Sequence, residues 1–196
     1  LLKKNVCPNV STFPRPMSDT PIDVFIDLPS FPGPVQAGRL WSHFRKGRES
    51  ASFEYNKEWL ANPHRFALEP LLPLTDGTFH TNPGQSVFGA IGDSTPDRWG
   101  RILMRRAELA RARTANESPH TLSELDYLLR VNDEARQGAL RFSQDGGQSF
   151  CAPPGSTPIP PLVNLSRLLH AADHFCRDDE NAEDLRLLLA PGSSLG

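Results

Sequence analysis

The sequence closes on Pro191-Gly192-Ser193-Ser194-Leu195-Gly196, a run of residue types suited to holding phosphate. Glycines and small hydroxyl residues leave backbone N–H groups open, so several can converge on phosphate oxygens. The same residues suit a helix C-cap, because Pro-Gly ends a helix in many settings. On pattern alone the cap is the stronger reading, and no lysine follows to neutralise a phosphate. Because the chain stops inside this stretch, it is expected to be a piece of a larger protein.

The second chemical feature is a run of arginines, Arg98, Arg101, Arg105, Arg106, Arg111 and Arg113, on one expected helix. Such a helix can meet nucleic-acid phosphates or an acidic protein. The plainer expectation is a solvated face, with Asp97 and Arg101 paired at i, i+4 and Glu108 in the middle. A partner surface built from Arg98, Arg101, Arg105 and Arg106 comes second, and direct nucleic-acid contact third. His170 and His174 stand one helical turn apart beside Asp173 and Cys176, a spacing that can bind zinc. Leu169, Ala172 and Phe175 already define a packing face there, and no second ligand pair is present, so no metal site is expected. Asp93-Ser94, just ahead of a helix start, reads as a capping or dipole-complementing pair. Hydrolase, metalloprotease and P-loop signatures are absent from the sequence.

The elements that must position these residues divide the chain. At 196 residues, 38% hydrophobic and 22% charged, it can bury a core and is neither a membrane protein nor disordered throughout. No apolar run approaches the roughly 20 residues needed to span a bilayer. The formal charge of −2 leaves no global case for nucleic acid. Cys7, Cys151 and Cys176 give no disulfide framework and fit a reducing compartment, so a cytoplasmic location is expected. Residues 1–21 read as an irregular arm, with Met17 a plausible native start and 1–16 a candidate upstream extension.

From Ile22 to Leu28 apolar and acidic residues alternate, which predicts a half-buried strand. Val35–Phe44 predicts a second strand, Arg45-Lys46-Gly47-Arg48 a turn, and Ala51–Tyr55 a third strand. Asn56 is placed to cap one helical turn. Leu68–Leu74, laced with prolines, suits an edge strand or extended segment. Thr95-Pro96-Asp97 predicts a helix start with Thr95 as N-cap, running to about Arg113. Thr121 and Glu124 match a capping box for the next helix. Gly138–Phe142 reads as a short strand. Two more helices are expected, over Leu162–Phe175 and from an Asn181 cap to Ala190. The fold class is α+β, with a β-rich subdomain at 22–145, a Pro/Gly linker at 146–161 and a further unit at 162–196.

Three stretches together resemble the HipA-type toxin kinases. Val87–Ser94 followed by Asp97-Arg98-Trp99-Gly100-Arg101 is similar to that family's F…L-P-D-S…R segment, with Ile91-Gly92 standing where Leu-Pro is usual. Leu125–Leu129, Asn132-Asp133 and Gly138-Ala139-Leu140-Arg141-Phe142 resemble its D-x-L, D and G-A-L segment. Gly192-Ser193-Ser194-Leu195-Gly196 falls where the family places its glycine-rich nucleotide loop. Order and spacing agree from about residue 22 to 196.

The resemblance implies that 162–196 opens a kinase-like N-lobe in a parent serine/threonine protein kinase using ATP and Mg, the toxin of a toxin–antitoxin pair. It implies a helix-turn-helix, HipB-like antitoxin as partner and a translation factor such as an aminoacyl-tRNA synthetase as substrate. DNA would be reached only through the antitoxin, and no membrane is involved. Ser194, with Ser193 beside it, matches the position of an autophosphorylated serine, where added charge would repel nucleotide. The catalytic and metal-binding residues of the family belong beyond Gly196, so no activity and no tightly bound cofactor are expected for these residues alone. The rival reading is a non-catalytic module that docks a partner.

Overall fold

The computed structural model describes residues 21–133, 136–150 and 165–189. Strands β1 (Ile22–Ile26), β2 (Val35–Arg45), β3 (Arg48–Tyr55), β4 (Thr78–His80) and β5 (Leu140–Ser143) form one sheet in the order β4-β3-β2-β1-β5. Every pairing is antiparallel. The helices are α1 (Lys57–Ala61), α2 (Gly89–Gly92), α3 (Arg98–Ala115), α4 (Glu124–Arg130), α5 (Leu165–Cys176) and α6 (Ala182–Leu189). The expected α+β class holds, and no described helix is long and apolar enough to cross a membrane.

The first strand departs from the half-buried expectation, since all five of its residues are buried. It lies between β2 and β5, so both edges are paired. Ile22, Val24 and Ile26 feed the main core with Leu40, Phe53, Trp59, Leu125, Leu128 and Phe142. Asp23 is tolerated inside because Gln36 Nε2 and Arg39 Nε donate to its Oδ1 at 2.6 and 2.9 Å. The β2–β3 turn sits where expected. Lys46 and Gly47 have φ of 50° and 76°, the left-handed pair that matches the twist of a tight hairpin.

Leu68–Leu74 forms no strand; its backbone runs through turns and bends, and β4 takes the sheet edge instead. The segment is pinned by one phenol: Tyr55 OH donates to Leu72 O at 2.8 Å and accepts from Leu68 N at 3.0 Å. Those bonds, with Leu72 N donating to Glu69 O, replace ladder bonds that Pro70 and Pro73 cannot donate.

Two helix starts shift by a few residues. Asp97, not Thr95, caps α3, accepting from Gly100 N at 2.7 Å. Ser123 and Asp126, not Thr121 and Glu124, make the capping box of α4. Helix α3 runs past Arg113 to Ala115 and ends on Asn116 in the left-handed region. Asn181 does cap α6, accepting from Glu183 N and Asp184 N.

A second core joins α3 to the last two helices through Leu103, Ala171, Phe175, Leu185 and Leu188. Met104, Tyr127 and Val131 bridge α3 to α4. The arm 1–20 and linker residues 151–164 lie outside the described residues.

Candidate functional site

Gly192, Ser193, Ser194, Leu195 and Gly196 lie outside the described residues. The other candidate residues are all on α3, and the structure splits them into two kinds. Arg101 and Arg106 are held internally, whereas Arg98 and Arg105 are exposed.

Arg101 clamps α3 to α4. Its two terminal nitrogens donate to the Glu124 carboxylate at 2.5 and 2.8 Å, and further bonds run to Thr95 Oγ1 and Pro96 O. Its guanidinium lies 4.7 Å above the centre of the Tyr127 ring. The fork-to-fork hydrogen bond with Glu124 raises an already high pKa, so Arg101 stays charged. Burial pushes the Tyr127 phenol up, keeping it neutral. The expected Asp97–Arg101 pair does not form, because the Asp97 carboxylate is engaged as the helix cap.

Arg106 clamps α3 to α5 and α6. It donates to Phe175 O at 3.1 Å and to Glu180 at 2.9 Å, pairs with Asp178 at 2.7 Å, and lies 3.9 Å above the Phe175 ring. Glu108 is buried rather than solvated, 3% exposed between Arg111 and Arg130. Burial opposes its charge, but the hydrogen bonds from both guanidiniums outweigh it and hold the carboxyl below the usual range. Half of the expected solvent-facing stripe is therefore an ion-pair scaffold, through Arg101, Arg106 and Arg111, while Arg98, Arg105 and Arg113 stay exposed. Helix packing on both flanks of α3 is the reason.

A groove of about 400 Å³ opens at the start of α3, lined by Pro96, Asp97, Arg98, Arg101, Arg105, Glu124 and Tyr127. Three arginines, Arg98, Arg101 and Arg105, face two carboxylates, Asp97 and Glu124, so the groove carries one positive charge in excess, with Arg98 and Arg105 exposed. Such a surface suits an anionic side chain or phosphate on a partner.

A second constellation, which no sequence pattern announces, ties the motif segments together. Arg136 is 4% exposed and donates to three carbonyls: Ser94 O at 2.9 Å, Leu128 O at 2.9 Å and Val131 O at 3.2 Å. Its guanidinium also lies 4.8 Å above the Phe142 ring and 3.4 Å from Asp133. Ser94, helix α4 and strand β5 thus meet on one side chain. Asp93, expected to serve the next helix, is the C-cap of α2; what its neighbour supplies is a backbone carbonyl. Burial raises the Asp133 carboxyl above its ordinary range despite Arg136 and Arg141 nearby. Nothing in the local sequence marks Arg136, whose partners are mostly carbonyls. Glu49 is equally silent: it accepts from Glu124 N and Leu125 N at 2.9 and 3.3 Å, anchoring the hairpin to α4. His174, a metal ligand by spacing alone, instead bonds Asp184 at 3.0 Å across α5 and α6.

The segments joined by Arg136 coincide with a known domain: the family described as HipA N-terminal domain matches residues 33–143. The chain belongs to the HipA family. The match opens ahead of β2 and closes on the last residue of β5, so it takes in four strands and α1–α4. Strand β1 precedes it, yet sits inside the HipA-type sheet between β2 and β5. Helices α5 and α6 come after it and are docked through Arg106. No curated protein matches the chain.

Proposed function

We propose that the chain is the N-terminal part of a HipA-like toxin whose parent protein is a serine/threonine protein kinase using ATP and Mg. Membership of the HipA family places it among toxin–antitoxin proteins, and the match over residues 33–143 is the observation that carries this reading. The kinase step rests on the resemblance of Gly192-Ser193-Ser194-Leu195-Gly196 to the family's nucleotide loop. Phosphoryl transfer needs a charge-neutralising lysine and metal-holding acids around the phosphates, and in this reading the parent protein supplies them. The parent acts in the cytoplasm on a translation factor such as an aminoacyl-tRNA synthetase. Its partner is a HipB-like helix-turn-helix antitoxin.

A docking role has its own support in exposed Arg98 and Arg105 over the α3 groove. The two readings combine: the N-terminal domain docks the partner and the segment after it opens the ATP site. Labelled ATP and Mg supplied to the longer gene product should phosphorylate Ser194 or Ser193, read by peptide mass. The S193A/S194A variant should abolish that signal, and phosphorylation unchanged in that variant would remove the regulatory role of the loop. Arg98→Glu with Arg105→Glu should weaken antitoxin capture at least tenfold without altering the circular dichroism, a loss on the order of 1.4 kcal/mol. Unaltered capture would free the groove from this role.

A further inference from the structure

The β2–β3 hairpin outruns its sheet. Pairing of β1 on β2 stops at Leu40, and pairing of β4 on β3 stops at Ser52. Beyond Thr81, which bonds Ala51, the pairs His43↔Ser50, Phe44↔Glu49 and Arg45↔Arg48 have no strand on either side. At about 3.4 Å per residue these pairs carry the ribbon about 10 Å past its flanking strands, with Glu49 tying it to the N-terminus of α4 and the turn beyond.

The ribbon tip breaks two local rules. Arg45 and Arg48 stand directly opposite one another, and like charges facing across a ladder destabilise it. Lys46 adds a third cation at the apex, and none of the three makes an ion pair among the described residues. Phe44 is 65% exposed at the same end, on the face opposite the two arginines. The adjacent acid, Glu49, offers no relief because its oxygens are bonded to the N-terminus of α4. A chain of net charge −2 thus concentrates three uncompensated cations and a bare aromatic at the end of one hairpin. Violations of this kind, kept without local compensation, mark a binding function.

We propose that the β2–β3 ribbon tip binds duplex DNA directly, with Arg45, Lys46 and Arg48 on backbone phosphates and Phe44 against a base edge. The major groove of B-form DNA, about 12 Å wide, admits a two-stranded ribbon, whereas the deep, narrow groove of duplex RNA does not. Three phosphate contacts set the electrostatic part of the affinity, and an aromatic in the groove adds an apolar, salt-independent part. The contact is independent of phosphoryl transfer and stands or falls without it.

The test is fluorescence anisotropy of the whole chain on a labelled duplex of about 20 base pairs at about 50–200 mM salt. The three cations should contribute about −2.7 to the slope of log affinity against log salt, about 40-fold across that range. The variant R45Q/K46N/R48Q should lose that part of the slope; asparagine keeps the left-handed turn that Lys46 adopts, so the hairpin survives. Phe44→Ser should weaken binding about tenfold at every salt concentration and leave the slope alone. Duplex RNA should bind more weakly than DNA. Failure of the wild-type chain to bind at about 50 mM salt overturns the proposal, as does an unchanged slope in the folded triple variant. Poly-glutamate competing as well as DNA, charge for charge, would assign the tip to an acidic protein and also overturn it.

Discussion

The chain contains two arginine-centred junctions that solve different problems. Around Arg136 the cation is almost wholly buried and its main partners are backbone carbonyls, so the residue fixes the path of three chain segments. Around Arg106 the cation is partly solvated and its partners are Glu180, Asp178 and Phe175, so it holds α3 against α5 and α6. The first junction sits inside the HipA-matched domain, and the second joins that domain to the two helices after it. Burial decides the energetic contrast. A buried cation lost from among carbonyls leaves desolvated acceptors without donors, while a half-exposed pair is partly replaced by water.

The contrast breaks hardest at Arg136. Arg136→Leu should cost about 3–5 kcal/mol in urea unfolding, because three carbonyls and Asp133 lose their donor at once. Arg136→Lys keeps the charge but cannot span all three acceptors, so it should fall between leucine and wild type. A loss below about 1 kcal/mol for the leucine variant would show that packing, not the guanidinium, holds the junction.

The sequence makes the hairpin easy to read and the junctions hard. Alternation in β2 and β3 and the Lys46-Gly47 pair are local signals, so strands and turn stand close to their expected positions. Strand β4 has only three residues and is positioned by Phe79 stacking near Tyr55 and Thr78 bonding Glu54, contacts that no local pattern announces. The burial of Asp23 depends on β5, a strand distant in sequence, arriving on the far side of β1. The N-caps slip because threonine and aspartate are chemically interchangeable as caps, and only the backbone path chooses Asp97 and Ser123. Of the α3 arginines, the residue types and their spacing were legible. Which of them face acids depends on Glu124, 23 residues beyond Arg101, and Glu180, 74 residues beyond Arg106.

A smaller effect should sharpen the comparison at the second junction. Arg106→Met keeps apolar contact with the Phe175 ring but loses Glu180, Asp178 and the Phe175 carbonyl. The expected cost is about 1–2 kcal/mol, reduced by the partial exposure of the site. Its signature is regional: amide exchange should quicken in α5 and α6 and stay unchanged in β1–β3. Uniform acceleration across the sheet would mean that the two junctions form one cooperative unit rather than two.

The smallest expected effect is a pH dependence confined to the same helices. His174 Nδ1 meets Asp184 Oδ2 at 3.0 Å, and this hydrogen bond raises the histidine above its ordinary value of 6.5. Stability from that shift is fully present below about pH 6.5 and is lost as pH rises through the raised folded value. Asp184 is lowered, first by Asn181 N and then by His174, from an ordinary 3.8. Its contribution is present above that value and lost as pH falls through the lowered one. The α5–α6 contact should therefore be strongest between about pH 4 and 6.5 and loosen toward about pH 8. His174 is partly exposed, so solvent screens the pair and amide exchange in α6, corrected for intrinsic rate, is a better readout than global unfolding. His174→Gln should flatten the alkaline side while leaving the Arg136 junction at its wild-type protection. A profile that also changed around Ser94 or β5 would tie the two junctions together electrostatically, and the distinction between a carbonyl-bound cation and a surface latch would fail.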